Sequence, residues 1–266
     1  MGKIIIKNLT FAYAGSDKVI LNGLNMDVNE GDFVCILGQS GCGKSTFLRL
    51  LGGLEKPTDG EITVDGKPVK GAGLDRSIVF QDYGLFPWMT VGENMLLALQ
   101  QRYKDKKKSE LVEIARDMLG QVGLADDTYG KYPKALSGGM KQRCAIARSF
   151  SIDPPILLMD EPFGALDAVT RSRLQKMVYE LWQKEEIRKT VFFITHDIDE
   201  ALILGTKIYV LGQAPSRILY QCEISPEKRP TGEAIYSNPE IIKIRHHLMQ
   251  CINNDIAEQM EGNYEA

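Results

Sequence analysis

The sequence predicts an α/β fold with a largely parallel central sheet, and three observations carry that prediction. Four short apolar runs, Phe33–Leu37, Ser77–Phe80, Ile156–Met159 and Thr190–Ile194, have the character of strands buried on both faces. Stretches of helical periodicity separate them, as crossover connections between parallel strands require. The 266 residues are 44% hydrophobic, enough for a normal core in one large domain or two small ones.

In chain order, Lys3–Thr10 alternates with β-branched residues and reads as a strand. Val19–Val28 reads as another, with Leu21, Leu24, Met26 and Val28 as its apolar contacts. Glu30-Gly31-Asp32 turns the chain into Phe33–Leu37, after which a glycine-rich loop opens a helix from Lys44 to about Gly53. Glu61–Val64 and Lys67–Val69, joined by Asp65-Gly66, predict a hairpin in an antiparallel β subdomain. From Val91 to about Val122 the pattern is helical, with a charged break at Lys104–Lys108 read as a solvated loop. Ser137 begins a further helix to about Ile152, ended by Asp153-Pro154-Pro155. Helices follow at Asp167 to about Glu185 and at Asp197–Leu204, and strands at Lys207–Leu211 and Arg217–Glu223. Glu227–Gly232 is a polar, proline-containing linker. Asn238-Pro239-Glu240 has the chemistry of a helix start, and Ile241, Ile244, Leu248, Ile252 and Ile256 then recur on one face. That amphipathic helix is expected to pack on its own domain rather than to regulate. The predicted organisation is one domain over 1–225, with an α-helical insert at about 91–152, and a linker and terminal helix over 226–266.

A net charge of −3 gives no general attraction to nucleic acid or anionic lipid. No apolar run approaches the ~20 residues that span a bilayer, and Ile4-Ile5-Ile6 is too short for a signal peptide. A cytoplasmic chain is expected, one whose contact with a membrane runs through a protein partner. The five cysteines, Cys35, Cys42, Cys144, Cys222 and Cys251, form no C-x-x-C pair, so a disulfide framework or zinc site is not expected. His246-His247 is assigned no metal.

Gly38-Gln39-Ser40-Gly41-Cys42-Gly43-Lys44-Ser45 fits G-x-x-x-x-G-K-[ST], between a strand and a helix as that pattern requires. Gly38, Gly41 and Gly43 permit backbone angles at which N–H groups can surround phosphates, and the helix adds its positive dipole end. Lys44 is placed to reach the β- and γ-phosphates, Ser45 to ligate Mg²⁺, and the Thr46 hydroxyl to lie near the α-phosphate. Cys42 reads as a small residue that fits the loop; a thiol whose oxidation blocks nucleotide is the sharper alternative. Asp160 ends an apolar strand, where a carboxylate can hold the metal, and Glu161 is the natural acceptor for a proton from the attacking water. The same pair before Pro162 would also serve a plain turn. Gln81 follows a strand directly and its amide can touch Mg²⁺ and the lytic water, though alone it would be an ordinary polar loop residue; His196 follows Thr190–Thr195 at the edge where ligands bind in parallel sheets, or without the other motifs would read as a cap of the next helix. By capping physics alone Ser137-Gly138-Gly139 reads as a plain helix cap; as a second anion site it would imply a nucleotide shared between two chains.

Together these residues resemble the ATP-binding cassette (ABC) ATPase family over about positions 3–225. Gly38–Ser45 matches its Walker A motif, Ile156–Glu161 Walker B and Gln81 the Q-loop. Ala165-Leu166-Asp167 matches the D-loop and His196 the switch histidine. Leu136–Met140 matches the LSGGQ signature, with Met140 where glutamine is usual, and Tyr13 matches the aromatic that stacks on adenine. Leu85-Phe86-Pro87-Trp88-Met89-Thr90-Val91 is similar to the nitrate/sulfonate/taurine importer branch. The resemblance implies a P-loop NTPase (RecA-like) core, with ATP and Mg²⁺ as ligands and ATP hydrolysis as the activity. It also implies an ATP-dependent head-to-tail homodimer at the cytoplasmic face of the membrane, integral membrane permease subunits, and indirectly a solute-binding protein. Phe86–Met89 is read either as the permease dock or as apolar residues packed under the insert. A non-transport ABC protein acting on nucleic acid or ribosomes would be expected to carry two cassettes, a coiled-coil insertion or basic arms, which this sequence lacks. A kinase-like enzyme would leave Ser137-Gly138-Gly139 without a purpose, and a binding module without hydrolysis would not need Glu161 and His196.

Overall fold

The computed structural model describes residues 3–164, 166–184, 188–225, 229–230 and 235–262, side chains of 258–262 excepted. Its strands are β1 (Ile4–Ala12), β2 (Val19–Val28), β3 (Phe33–Leu37), β4 (Asp59–Val64), β5 (Lys67–Pro68), β6 (Arg76–Val79), β7 (Ile156–Asp160), β8 (Thr190–Thr195), β9 (Lys207–Leu211) and β10 (Ile218–Glu223). Its α-helices are α1 (Lys44–Leu51), α2 (Val91–Arg102), α3 (Lys108–Gln121), α4 (Gly138–Ser151), α5 (Ala168–Gln183), α6 (Ile198–Leu204) and α7 (Pro239–Gly262). The chain divides into two compact units, Met1–Gly73 with Thr190–Ala266, and Leu74–Lys189.

The first unit carries an antiparallel sheet in the order β2-β1-β4-β5, where Ile4 faces Val28 on one side and Val64 on the other. Its second strand group centres on β3, paired in parallel with β8 and with β9, while β10 closes antiparallel on β9. Every residue of β3, β8 and β9 is buried, as the continuous apolar runs predict, and β10 alternates as an edge strand does. α1 buries Phe47, Leu48, Leu50 and Leu51. α7 packs against α6, β9 and β10 through Ile241 and Leu248, so the terminal helix belongs to the core of this unit.

In the second unit β6 and β7 pair in parallel, with Val79 opposite Met159. Helices α2, α3 and α4 pack on one another, and α4 also packs on β6. Two short 3₁₀ turns, Asp126–Gly130 and Pro133–Ala135, lead into α4. Thr90 and Glu93 form a reciprocal capping box at the start of α2. Trp182 of α5 is fully buried, its Nε1–H donating to the Lys189 carbonyl at 2.8 Å.

Element ends depart from the sequence reading for local reasons. β1 runs two residues beyond Thr10, carrying irregular pairing with β2 past Ile6. α1 stops at Leu51 because Gly53 turns left-handed (φ 72°), and Leu54 N–H then donates back to the Arg49 carbonyl at 2.9 Å. Gly53 has no substitute there, since a Cβ would lie 2.2 Å from the Gly71 carbonyl oxygen. β6 stops at Val79, so Phe80 intervenes between the strand and Gln81. The D-loop residue Ala165, the helix end at Glu185, and most of the Glu227–Gly232 linker lie outside the described residues.

Candidate functional site

In the first unit the chain leaves β3 at Leu37 and enters the glycine-rich loop. A Cβ on Gly38 would lie 2.6 Å from Cys42 Sγ and 2.9 Å from the Leu211 carbonyl oxygen, so only glycine lets the loop pass. Gly41 and Gly43 take φ values of 84° and 98°, which other residues resist. Gly43 is the N-cap of α1 and supplies no capping side chain, the kind of helix start that suits an anion. Lys44 is 4% exposed, and its ammonium donates to the carbonyls of Gly38 (2.8 Å) and Gln39 (2.9 Å). Ser40, Gly41 and Ser45 form the exposed side of the loop. The Thr46 and Tyr13 hydroxyls share a hydrogen bond of 3.0 Å, and Phe11 meets the Tyr13 ring edge-on at 4.8 Å. That bond ties Tyr13 to the first turn of α1. Cys42 is buried, and burial pushes its thiol up against the lowering influence of Lys44, which disfavours the reactive thiolate.

The parallel register sets Thr195 opposite Leu37, so His196 stands beside Gly38. Thr195 Oγ1 donates to Glu200 at 2.5 Å and accepts from Asp197 N–H at 3.0 Å. Asp197 in turn caps α6 through the N–H groups of Asp199 and Glu200. The exit from β8 is thereby fixed, and His196 is left exposed at the strand edge.

In the second unit the Val79–Met159 pairing sets Gln81 and Glu161 two residues past the same rung. Asp160 ends β7 and is buried. Glu161 holds a left-handed backbone (φ 42°), with its carbonyl accepting from Gly164 N–H at 3.2 Å. Ser137 caps α4, its Oγ accepting from Met140 N–H at 3.3 Å. A Cβ on Gly139 would sit 2.9 Å from Thr170 Cγ2, and one on Gly138 3.3 Å from the Tyr83 hydroxyl. Ser137, Gly138 and Gly139 open onto a cleft of about 820 Å³, also lined by Asp127, Arg143 and Asp167. Asp167 accepts from the N–H groups of Thr170 and Val169, bonds that hold its carboxyl below the usual range.

Two polar side chains that sequence reasoning missed organise this second group. Arg148 of α4 is partly buried, desolvation lowers its pKa, and it donates to the carbonyls of Gly84 (2.7 Å) and Tyr83 (3.3 Å). The helix begun at Ser137 therefore holds the loop that follows Gln81. Asn94 of α2 accepts from Phe86 N–H at 2.8 Å and donates to the carbonyls of Phe86, Met89 and Thr90. It pins the loop that displays Phe86 and Trp88, whose rings lie 5.5 Å apart. Trp88 is 70% exposed, so the reading that packs it beneath the helical insert is wrong: the loop folds around Asn94 and turns the indole outward.

A family model described as ABC transporter matches residues 21–164. An uncharacterized ABC transporter ATP-binding protein of Methanocaldococcus jannaschii is 42% identical over 97% of this chain and 94% of its own length. The bicarbonate transport ATP-binding protein of Synechocystis is 40% identical, covering 96% of this chain and 90% of that one. The nitrate import ATP-binding protein of Synechococcus elongatus is 41% identical, covering 91% and 88%. Among solved structures, a dimeric bacterial ABC transporter cassette is similar with a TM-score of 0.74 at 32% identity, covering 83% of this chain and 98% of that one.

Proposed function

The chain belongs to the ABC transporter family as an ATP-binding, ATP-hydrolysing subunit, and from that premise we propose that it drives a bacterial importer of a small anion. The relatives named for bicarbonate and nitrate transport support this cargo class. It overlaps the cargo that the 85–91 segment suggests, nitrate, sulfonate, taurine or a similar small solute. Among the described residues no helix is long and apolar enough to cross a membrane. In this reading, which the relatives named for transport support, the motor works from the cytoplasmic face on separate permease subunits, with a solute-binding protein acting beyond them.

The single observation that carries the phosphate site is the N-terminus of α1, which has no side-chain cap and is followed by a buried Lys44, reached through a loop where Gly38 admits no Cβ and Gly41 and Gly43 hold left-handed φ values. A triphosphate suits such a site, and the ammonium would exchange two carbonyl partners for phosphate oxygens. No group of three His, Cys, Asp or Glu capable of holding a metal occurs among the described residues. A hydroxyl, one carboxylate and an amide, completed by phosphate and water, suit Mg²⁺ instead. Ser45, Asp160 and Gln81 would hold it, and bound Mg²⁺ would neutralise charge on the phosphates.

In this reading Tyr13 offers its ring to adenine, while Gln39, Ser40, Gly41, Cys42, Gly43 and Thr46 give backbone or hydroxyl contacts to the phosphates. Glu161 orients and deprotonates the attacking water, Gln81 and His196 hold that water and the γ-phosphate, and Lys44 offsets charge developing in the transition state. Ser137, Gly138 and Gly139 serve the nucleotide of a second copy, which makes the working form a head-to-tail homodimer sandwiching two ATP. The dimeric form of the similar solved cassette supports that arrangement. Closure of the pair on ATP would be a binding-driven population shift that the permease reads. Exposed Phe86 and Trp88 offer the docking surface, and Gln81, in the same loop region, would relate permease position to the γ-phosphate. The test is Lys44→Ala beside Glu161→Gln. The first should lose both ATP binding and turnover; the second should keep binding and lower turnover by a factor on the order of 10² or more. Near-normal hydrolysis by Glu161→Gln would remove its assigned role.

A further inference from the structure

The glycine-rich loop has a neighbour on the side away from His196. β9 pairs with β3 so that Val210 faces Leu37, and the next residues of both strands, Leu211–Gln213 and Gly38–Gln39, leave the sheet side by side. The loop after β9 is bonded to the glycine-rich loop at two points. The Ser216 hydroxyl lies within hydrogen-bonding reach of the Cys42 carbonyl and, at 2.8 Å, of the Gly212 carbonyl, its one hydrogen serving either. Gln213 Nε2 donates to Gln39 Oε1 at 2.9 Å.

What holds Gln213 comes from the far end of the chain. Asp255 of α7 accepts from Gln213 N–H at 2.9 Å through Oδ2. Its Oδ1 lies 2.9 Å from where a Cβ on Gly212 would be, so the carboxylate rests against that glycine. The charge of Asp255 is felt within the glycine-rich loop: burial chiefly, and Asp255 in smaller part, hold the Cys42 thiol up. α7 is anchored on the opposite flank as well. Asp199 of α6, three residues past His196, accepts from Arg245 at 2.8 Å and from the Tyr236 hydroxyl at 3.0 Å. One helix thus grips the segments that flank the glycine-rich loop on both sides.

We propose that α7 is a positioning element for nucleotide binding: Asp255 fixes the Gln213 backbone, and the Gln213 amide fixes Gln39, so the C-terminal helix sets the loop in its receiving geometry. Gln213 and Asp255 are positioning residues and touch no phosphate. The chain of contacts is in series, which makes its signature one of coupling rather than of additive loss.

The inference rests on the reading that ATP phosphates sit at Lys44, and the experiment separates the two. The full chain is titrated by calorimetry with a non-hydrolysable ATP analogue, and steady-state KM and kcat are measured beside the melting temperature of the free protein. Gln213→Ala and Asp255→Ala should each weaken binding and raise KM about five-fold, the worth of one net hydrogen bond, with kcat unchanged at saturation. The double variant should be no weaker than the worse single one. Asp255→Asn, which keeps an acceptor for Gln213 N–H, should bind as the parent does. Gln213→Ala retains that N–H and removes only the amide, so it decides the matter alone if Asp255→Ala destabilises the fold. Parent-like affinity in Gln213→Ala, losses that multiply in the double variant, or an Asp255→Asn as weak as Asp255→Ala would each overturn the proposal. If Lys44→Ala also leaves affinity unchanged, the nucleotide reading itself has failed. If Lys44→Ala abolishes binding while the Gln213 and Asp255 variants bind normally, only the role of α7 has.

Discussion

Removing the Asn94 side chain should unlock the Phe86–Thr90 loop, and its worth can be worked from the bonds it makes. Asn94 is 1% exposed and has one acceptor oxygen and two donor hydrogens. Its Oδ1 is used by Phe86 N–H at 2.8 Å, and its Nδ2 faces three carbonyls, Thr90 at 2.9 Å and Phe86 and Met89 at 3.2 Å. Two hydrogens cannot serve three carbonyls fully, so three effective bonds stand to be lost. At ~1 kcal/mol net apiece, Asn94→Ala should destabilise the second unit by about 3 kcal/mol. Asn94→Asp keeps the Phe86 acceptor but turns oxygen toward the three carbonyls, and should be at least as damaging. The assay is urea unfolding followed by tryptophan fluorescence in a Trp88→Phe background, which leaves fully buried Trp182 as the sole reporter. With a slope near ~2 kcal/mol per molar, the midpoint should fall by about 1.5 M. A fall below about 0.3 M, or an Asp variant as stable as the parent, would show that Asn94 does not hold the loop.

The remaining predictions concern the partner surfaces and the thiols. Trp88→Ala should abolish capture of the subunit by its permease in detergent while leaving the melting temperature of the free chain within about 1 °C, since a side chain so exposed gives little to the core; assembly intact with a lowered melting temperature would reverse that. A Ser137→Arg chain mixed with a Lys44→Ala chain should form a heterodimer with one intact nucleotide site, recovering ATP-driven pairing and part of the activity. Failure of every such mixture, with both chains folded, would count against sharing across the dimer. Burial raises the thiols of Cys144 to about 12 and Cys222 to about 11, so their reactive thiolates populate only as the pH climbs well past the usual thiol range. At pH 7.5 iodoacetamide should therefore label partly exposed Cys251 first and spare Cys42 until the chain unfolds; prompt loss of ATP binding through Cys42 labelling would contradict its burial.

Much of this geometry was legible in the sequence because it is local. A buried strand, a loop whose glycines have steric work, and a helix without a side-chain cap lie within about twenty residues, so Gly38–Thr46 could be read directly. The break at Lys104–Lys108 was visible for the same reason: α2 and α3 end and begin on their own chemistry. Asn94 was missed because an asparagine in the first turn of a helix looks like an exposed polar residue, and its four partners belong to a loop with no periodic pattern. Arg148 was hidden in the same way, since its carbonyl partners stand 64 and 65 residues earlier. Gln213 and Asp255 are separated by 42 residues, and only the folded packing of α7 on β9 and β10 brings them together. For Trp88 the sequence allowed two opposite placements, because a Phe-Pro-Trp-Met run has the same composition whether it faces inward or outward.

Glu161 gives the strand end an unusual relation to the folding equilibrium. Its left-handed backbone is a conformation that a side chain bearing a Cβ resists at a cost on the order of 1 kcal/mol or more, and that glycine accepts freely. A glycine there would relieve local strain, though it would also widen the freedom of the unfolded chain, and it would delete the carboxylate proposed to activate water. Selection for durability and selection for turnover therefore pull on this one codon in opposite directions. A screen that scored heat resistance alone would be free to drift toward an inert cassette, whereas a screen on uptake would keep the strained acid in place.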